Sequence, residues 1–137
     1  MADAIVDMDA AVAQAYSALP AGASAHAHDL RALVLQTALD EGLPPPMETL
    51  KWGEPAYLPG RSGTTVRIGP DAQRQSLKLL VHCQTNLVER WRQRFDDRLS
   101  FEGNRAVLVP VDRPLDRNAL ASCIAEAFTY HRNGHHG

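Results

Sequence analysis

The sequence predicts an α+β fold in which a single antiparallel sheet of about five strands carries helices packed on one face. Two observations predict it. Apolar residues recur every three or four positions in four segments, which is the period of a helix, and they alternate in the segments between them. Short turns join the strand segments, and strands joined in this way pair antiparallel. The predicted order of elements is ααβββαββα, and the 137 residues are the length of one domain.

The first two helices are predicted from their apolar faces and from the residues that end them. In residues 7–19, apolar residues that include Val12 and Tyr16 recur every three or four positions and so share one face of a helix. A Pro-Ala-Gly sequence ends the segment. The second helix is predicted over about residues 28–41, because Gly42 stands at its C-terminal stop position and three prolines follow.

The period then changes to that of a strand. Residues 49–58 alternate between apolar and polar side chains, and Pro55 limits them to a bulged or an edge strand. Residues 64–68 and 76–83 are predicted as the next two strands, joined by a turn that contains Gly-Pro-Asp at positions 69–71.

The second half of the chain continues with a helix, a hairpin and a final helix. Residues 86–95 are predicted as the third helix, with Asn86 and Glu89 as its capping box. A hairpin follows over residues 99–109, and the last helix begins after Asp116 as its N-cap. The apolar stripe of that helix is predicted to be Leu120, Ile124, Ala127 and Phe128.

These elements divide the chain into three parts. Residues 1–24 hold an N-terminal helix and a linker, residues 25–132 form the α+β domain, and residues 133–137 are a frayed tail. Cys83 and Cys123 lie far apart without Cys-x-x-Cys spacing. This arrangement is typical of buried thiols in a reducing compartment and does not favour a disulfide.

The sequence predicts a cytosolic protein with no membrane partner. No apolar run approaches the ~18 residues that would suggest a membrane span. The N-terminus is acidic and lacks the basic region with which a signal peptide begins.

Charge is distributed unevenly along the chain. The formal net charge of −2 argues against nucleic acid as a partner of the whole molecule. Residues 1–54 carry eight acidic and two basic side chains, whereas residues 55–137 carry eight acidic and twelve basic ones. Two interpretations follow: the two parts pack against each other with complementary charge, or the second part presents a basic surface to an anionic ligand.

Three stretches resemble the YdhG-like family (domain of unknown function 1801). They are Leu-Lys-Trp-Gly-Glu-Pro-Ala-Tyr at residues 50–57, Phe-Glu-Gly-Asn-Arg at 101–105 and Ala-Glu-Ala-Phe-Thr-Tyr-His at 125–131. The resemblance covers about residues 25–132, and the first stretch is its most specific part. It implies a compact, mostly bacterial α+β domain with no established enzymatic activity. One branch of the family is linked to intracellular iron delivery in a frataxin-like role.

The third predicted strand indicates where a ligand would bind. Alternation places Lys78 and His82 on the face opposite Leu77, Leu79 and Val81, and the apolar face suits the helices. The helix-free face would gain two basic residues from the adjoining strands and two aromatic residues at its edge. The predicted ligand-binding residues, which would form a basic concavity for a small anionic ligand, are Lys51, Trp52, Tyr57, Arg67, Lys78 and His82.

Other interpretations of these residues stay open. The same face would serve equally as an ordinary solvated sheet surface or as a dimer interface, so both a monomer and a homodimer are compatible with the sequence. Trp52 by itself is more typical of a core residue than of a ligand platform. Glu54 either caps a turn or projects into the pocket as an acid or base.

No catalytic residue, metal ligand or cofactor is predicted. The sequence contains no Gly-x-Ser-x-Gly, His-Glu-x-x-His, P-loop or Gly-x-Gly-x-x-Gly motif. The favoured function is therefore a non-enzymatic protein that binds a small ligand or a partner protein through the helix-free face. The alternatives are iron or metal handling and an enzyme, which would need Glu54 or His82 in a pocket beside a second titratable group.

Overall fold

The computed structural model of the chain describes residues 8–71, 76–82 and 84–132. Within these residues, four helices accompany a single antiparallel sheet of six strands, which confirms the α+β class with one strand more than predicted. The helices are α1 (Ala10–Ser17), α2 (Ala21–Asp40), α3 (Leu87–Arg94) and α4 (Arg117–Phe128). The strands are β1 (Met47–Lys51), β2 (Glu54–Leu58), β3 (Val66–Asp71), β4 (Ser76–Leu80), β5 (Ser100–Glu102) and β6 (Ala106–Val109), in the spatial order β1-β2-β3-β4-β6-β5.

Alternation along the strands separates the two faces of the sheet. Leu77, Leu79 and Val107 are fully buried in the core that the helices complete. Residues between them, such as Lys78 and Leu108, pair across β4 and β6 on the other face, which we call the helix-free face. Its members are Met47, Thr49, Lys51, Glu54, Ala56, Leu58, Arg67, Gly69, Asp71, Ser76, Lys78, Leu80, Ser100, Glu102, Ala106 and Leu108.

The second helix begins well before the predicted residue 28. Pro20 is its N-cap with a φ of −54°, close to the value that the proline ring imposes, and the helix starts at Ala21. The predicted linker up to residue 24 is therefore helical in its last part. The N-terminal helix also belongs to the main core, because Val12 and Tyr16 of α1 are fully buried in it.

The single strand predicted over residues 49–58 is wrong, because this segment is part of a hairpin. Strands β1 and β2 pair with Lys51 opposite Glu54, which leaves Trp52 and Gly53 as a two-residue turn. Both turn residues have a positive φ, 57° and 76°, as tight hairpin turns require. The usual sequence signal for this turn is Asn-Gly, and a tryptophan in the first position conceals it.

The turn predicted at residues 69–71 is also wrong. These residues complete β3, and Asp71 at its end pairs with Ser76 at the start of β4. The connection between the two strands therefore falls at residues 72–75, which lie outside the described residues, as does Cys83.

The capping box predicted for the third helix does not form within the described residues. Asn86 occupies the N-cap position of α3, but its side chain makes no cap hydrogen bond. Its φ of −96° and ψ of 17° differ from the extended conformation that points a cap side chain at the first turn. The backbone N–H of Leu87 instead donates to Oγ1 of Thr85 at 3.5 Å.

One carboxylate joins the third and fourth helices. Oε2 of Glu126 accepts from Nη2 of Arg90 at 2.8 Å and from Nη2 of Arg94 at 3.0 Å, while Oε1 accepts from Nε1 of Trp91 at 2.7 Å. Burial raises the pKa of Glu126, but the hydrogen bonds from Arg94 and Trp91 outweigh it and hold that pKa below its usual value. The indole of the fully buried Trp91 thus has its polar group satisfied.

The segment after β2 closes the C-terminal end of α4. The hydroxyl of Ser62 donates to the carbonyl of Phe128 at 2.7 Å, and the N–H of Thr64 donates to the carbonyl of Ala127 at 2.8 Å. Two of the carbonyls that a helix end leaves without intrahelical partners are thereby satisfied. Gly63 lies so close to this end that a Cβ there would collide with the backbone of Ala127 and Phe128.

The predicted N-cap of the last helix is confirmed and leads to a prediction about pH. Asp116 accepts from the N–H of Ala119 at 3.2 Å and binds Arg98 through both carboxylate oxygens, at 2.7 and 3.0 Å. The hydrogen bond from Arg98 is the main reason that the pKa of Asp116 lies below its usual value. Because the pKa of Asp116 is lower in the folded chain than in the unfolded chain, its ionised form stabilises the fold. This contribution is fully present above the unfolded-state pKa near 4, and it is lost as the pH falls through the folded-state pKa.

We therefore expect Asp116→Asn to matter more at neutral than at acidic pH. Asparagine caps a helix about as well as aspartate, so the substitution removes mainly the charge that binds Arg98. The melting temperature should fall by about 2 °C at pH 7, and the difference from the unsubstituted chain should be smaller at pH 3. Thermal unfolding followed by circular dichroism at both pH values measures this, and an equal loss at both would contradict the assignment.

Among the described residues, no helix combines the length and the apolar character needed to cross a membrane.

Candidate functional site

Two adjoining depressions on the helix-free face share Arg67 and Arg105. The first has a volume of about 410 Å³, and its lining consists of Trp52, Arg67, Val81, His82 and Arg105. The second has a volume of about 750 Å³, and its lining consists of Glu54, Arg67, Lys78, Leu80, Glu102, Gly103, Asn104, Arg105 and Ala106. We call the first the Trp52 depression and the second the paired-charge depression.

Two ion pairs cross the paired-charge depression. Nη1 of Arg67 lies 2.6 Å from Oε1 of Glu54, and Nζ of Lys78 lies 2.6 Å from Oε1 of Glu102. The first pair and Lys78 are half-buried, whereas Glu102 is exposed, and each ion pair restricts the positions of its two side chains. The predicted basic character of this part of the face is therefore balanced by two carboxylates, Glu54, for which a position in the pocket was one of the two interpretations, and Glu102, which was not predicted there.

A glycine in β3 makes room for one of these carboxylates. A Cβ at Gly69 would collide with the carboxylate of Glu54 and with its Oε2 atom above all. Because Gly69 has no side chain, Glu54 can lie flat over the neighbouring strand and reach Arg67. Glu54 is thus an ion-pair partner in the depression, and it does not cap a turn.

Arg105 is the site residue that the sequence analysis missed. It ends the turn between β5 and β6, where the N–H of Val81 donates to its backbone carbonyl at 2.8 Å. Its side chain is exposed, and within the described part of the chain it makes no ion pair or hydrogen bond. Only the pairing of β4 with β6 brings this turn next to His82, and nothing in the local sequence signals that proximity.

Three of the six predicted ligand-binding residues meet in the Trp52 depression, namely Trp52, Arg67 and His82. Lys78 lines the adjoining paired-charge depression. Lys51 is exposed on the helix-free face at the end of β1 and lines neither depression. Whether these residues bind a ligand stays a prediction.

The predicted position of Tyr57 at the edge of this face is wrong. In β2 it points to the helices and is fully buried in the core, where its hydroxyl lies 2.6 Å from that of Tyr16. The physical reason is the Trp52-Gly53 turn, because β2 restarts with Glu54 on the helix-free face and alternation then sends Tyr57 inward.

Tyr57 belongs to a buried polar network beneath α1 and α2. Its hydroxyl donates to Oε2 of Glu48 at 2.6 Å, and Glu48 also accepts from Nε and Nη2 of Arg31 at 2.6 and 3.0 Å. Burial raises the pKa of both Tyr57 and Tyr16 far above the usual value, so both hydroxyls stay protonated. The network links four elements of the fold and is distant from the helix-free face.

Trp52 also departs from the prediction that favoured a core position. Its side chain is 89% exposed, because it stands in the hairpin turn and not in a strand. Trp52 nevertheless belongs to the lining of the Trp52 depression, together with Arg67 and Arg105.

His82 presents a hydrogen-bond donor at this depression. Its Nδ1 accepts from the backbone N–H of Gln84 at 3.0 Å. A neutral ring with Nδ1 as an acceptor carries its proton on Nε2, so that nitrogen can donate to a ligand.

A second concave region lies between α2 and the proline-rich segment before β1. It has a volume of about 540 Å³, and its lining consists of Leu35, Leu39, Leu43, Pro45, Pro46, Asp9, Arg31 and Glu48. The arginine and the glutamate at its base already bind each other through two hydrogen bonds. This region is therefore mainly apolar and offers less to an anionic ligand than the helix-free face.

Among the described residues, the cysteine and the metal-ligating side chains form no further candidate site. Cys123 is buried in α4, and burial raises the pKa of its thiol to about 12, so it remains a neutral, unreactive group at ordinary pH. Within residues 8–71, 76–82 and 84–132, no three or more His, Cys, Asp or Glu side chains are grouped so that they could hold a metal ion.

Comparison with known proteins adds no relative from which a function could be transferred. No protein-family model matches the chain, and no curated protein or solved structure matches it either.

Proposed function

We propose that the protein is a non-enzymatic binding module that holds a small anionic ligand in the Trp52 depression of its helix-free face. The observation that carries the proposal is the convergence of Arg67, Arg105 and His82 on one concave surface. Two guanidinium groups and a ring N–H donor form a suitable set for a phosphate or carboxylate group.

The two arginines differ in a way that suits binding. Arg67 is held by Glu54 at 2.6 Å, so its position is fixed before a ligand arrives. Arg105 is exposed and makes no side-chain ion pair among the described residues, so its charge is available to a ligand. A fixed donor supports geometric specificity, and an uncompensated charge supports attraction of anions from solution.

The two carboxylates of the paired-charge depression are both in ion pairs, which supports a binding function over a catalytic one. The lining of the paired-charge depression does contain two carboxylates, Glu54 and Glu102, so a second titratable group of the kind that an enzyme would need is present. Each of them, however, binds a cation at 2.6 Å, Arg67 and Lys78 respectively. A carboxylate in such an ion pair would have to leave its cation before it could act on a substrate as an acid, a base or a nucleophile. The iron-handling alternative stays a prediction.

Arg105→Gln tests the proposal directly. Calorimetric titration of the chain with sodium pyrophosphate at low ionic strength should show saturable binding, and Arg105→Gln should weaken it about 5- to 10-fold. Arg61→Gln is the matched control, because Arg61 is exposed in the short helical turn after β2 and lines neither depression. It removes the same charge and should leave the affinity within about twofold.

Two results would contradict the proposed site. The first is equal weakening by both substitutions, which would mean that pyrophosphate responds to net charge alone. The second is the absence of saturable binding to the unsubstituted chain.

A further inference from the structure

We infer that the ligand of the Trp52 depression is a ring-bearing anion, in which a planar aromatic group stacks on Trp52 while its phosphate or carboxylate lies between Arg67 and Arg105. This inference rests on the proposed function, because it names the chemical class of the molecule that the same site would hold. It adds a role for the aromatic residue of the lining, which binding of a simple anion does not require.

The backbone at Trp52 is the first observation behind it. A φ of 57° lies in the left-handed region, where a bulky side chain is uncommon and strained. The hairpin turn needs this conformation, but asparagine or glycine would adopt it at lower cost. Local backbone stability therefore does not explain a tryptophan at this position.

Packing does not explain the tryptophan either. Its side chain is 89% exposed, whereas the other tryptophan of the chain, Trp91, is fully buried. An exposed indole on a strained turn gains little of the hydrophobic stabilisation that usually favours a large aromatic residue. What the residue does gain is a place in the lining of a charged depression, where an exposed indole is available to stack on an occupant.

The composition of the depression specifies that occupant. Its lining combines one exposed aromatic residue, Trp52, with the three cationic or hydrogen-bond-donating groups already described. Its volume of about 410 Å³ falls within the range of small-ligand sites, roughly 300–1,000 Å³. A molecule that is flat and apolar at one end and anionic at the other matches both kinds of lining residue at once.

Phenyl phosphate and methyl phosphate are the matched probes for this inference. They carry the same anionic group and differ in the ring, so their ratio of affinities isolates the contribution of stacking. Two-dimensional NMR titrations of the full chain should show that phenyl phosphate binds about 5- to 30-fold more tightly than methyl phosphate, with shifts at the Trp52 indole N–H.

Trp52→Asn should abolish that ratio without harming the fold. Asparagine accepts the left-handed conformation, so the variant should melt at the same temperature or higher. Both probes should then bind it with the affinity of methyl phosphate for the unsubstituted chain. Trp52→Phe keeps a ring at the same position and should retain most of the preference for phenyl phosphate.

The outcomes separate the inference from the proposed function. Equal affinity of the unsubstituted chain for the two probes would overturn the inference that the ligand carries a ring, but it would remain compatible with the proposed anion site. A preference for phenyl phosphate that survives in Trp52→Asn would also overturn it, since the ring would then bind elsewhere. Failure of both probes to bind would count against the anion site itself and, with it, against the inference.

Discussion

Glu48→Ala is expected to lower the free energy of unfolding by about 3–4 kcal/mol, among the largest effects of a single substitution in this chain. The side chains of Arg31 and Glu48 are only 5% and 13% exposed, and they form a two-bonded ion pair. The hydrogen bond to Glu48 raises the pKa of Arg31 in the unsubstituted chain. Without Glu48 the guanidinium still remains charged, because arginine does not lose its proton at any ordinary pH. Removing the carboxylate leaves a buried charge without a partner and deprives Tyr57 of its acceptor.

Urea unfolding followed by far-UV circular dichroism measures this loss. Glu89→Ala is the control, because Glu89 is exposed on α3 and its ion pair with Arg92 is long, at 3.7 Å. That substitution should change stability by less than about 0.5 kcal/mol. Adding Arg31→Met to Glu48→Ala should restore part of the lost stability, since it removes the unpaired charge. A loss below about 1 kcal/mol in Glu48→Ala would show that the network contributes little.

Gly63→Ala is expected to destabilise the fold by about 3 kcal/mol, although it adds a single methyl group. The backbone conformation at this position suits any residue, so the cost is one of space. The new Cβ would meet the carbonyl groups of Ala127 and Phe128, and these cannot move without losing the hydrogen bonds from Ser62 and Thr64. The segment would have to withdraw from the end of α4, which would expose helix carbonyls that it now satisfies.

Gly22→Ala provides the comparison for this prediction. Gly22 lies in the first turns of α2, and a Cβ there would meet nothing within 4 Å. Alanine has the higher helix propensity, so this variant should be as stable as the unsubstituted chain or up to about 1 kcal/mol more stable. If the two glycine substitutions cost the same in thermal unfolding, the close contact between residue 63 and α4 does not govern stability.

The fold class was predictable because it depends on the periodicity of apolar residues along the chain, which can be read without knowing any tertiary contact. The alternation of Leu77 and Leu79 with Lys78 assigned both faces of β4 correctly, and Asp116 marked the start of α4. The errors fell where the usual turn or cap residues were absent or misleading. Trp52 occupied a turn position that normally holds asparagine, and Asn86 occupied a cap position without making the cap hydrogen bond.

The candidate site was predictable only in the part that a single strand determines. Lys78 and His82 follow from alternation, and Arg67 follows from the strand beside them. Arg105 comes from a distant turn that only the pairing of β4 with β6 brings near, so no local pattern identifies it. Tyr57 was misplaced because the two-residue turn at Trp52 and Gly53 was not detected. That turn moves every later residue of β2 to the opposite face of the sheet.

The contrast between the two tryptophans gives the protein two intrinsic optical reporters. The indole of Trp91 is enclosed in the core with its N–H bound to Glu126, so its fluorescence should be emitted at short wavelength and be protected from acrylamide. Trp52 is open to water at the depression, so its emission should be shifted to the red and be readily quenched. Occupancy of the depression should alter only the red component, whereas unfolding should alter the blue one. A single emission spectrum of the unlabelled chain can therefore distinguish a ligand that binds at the Trp52 depression from one that merely stabilises the fold.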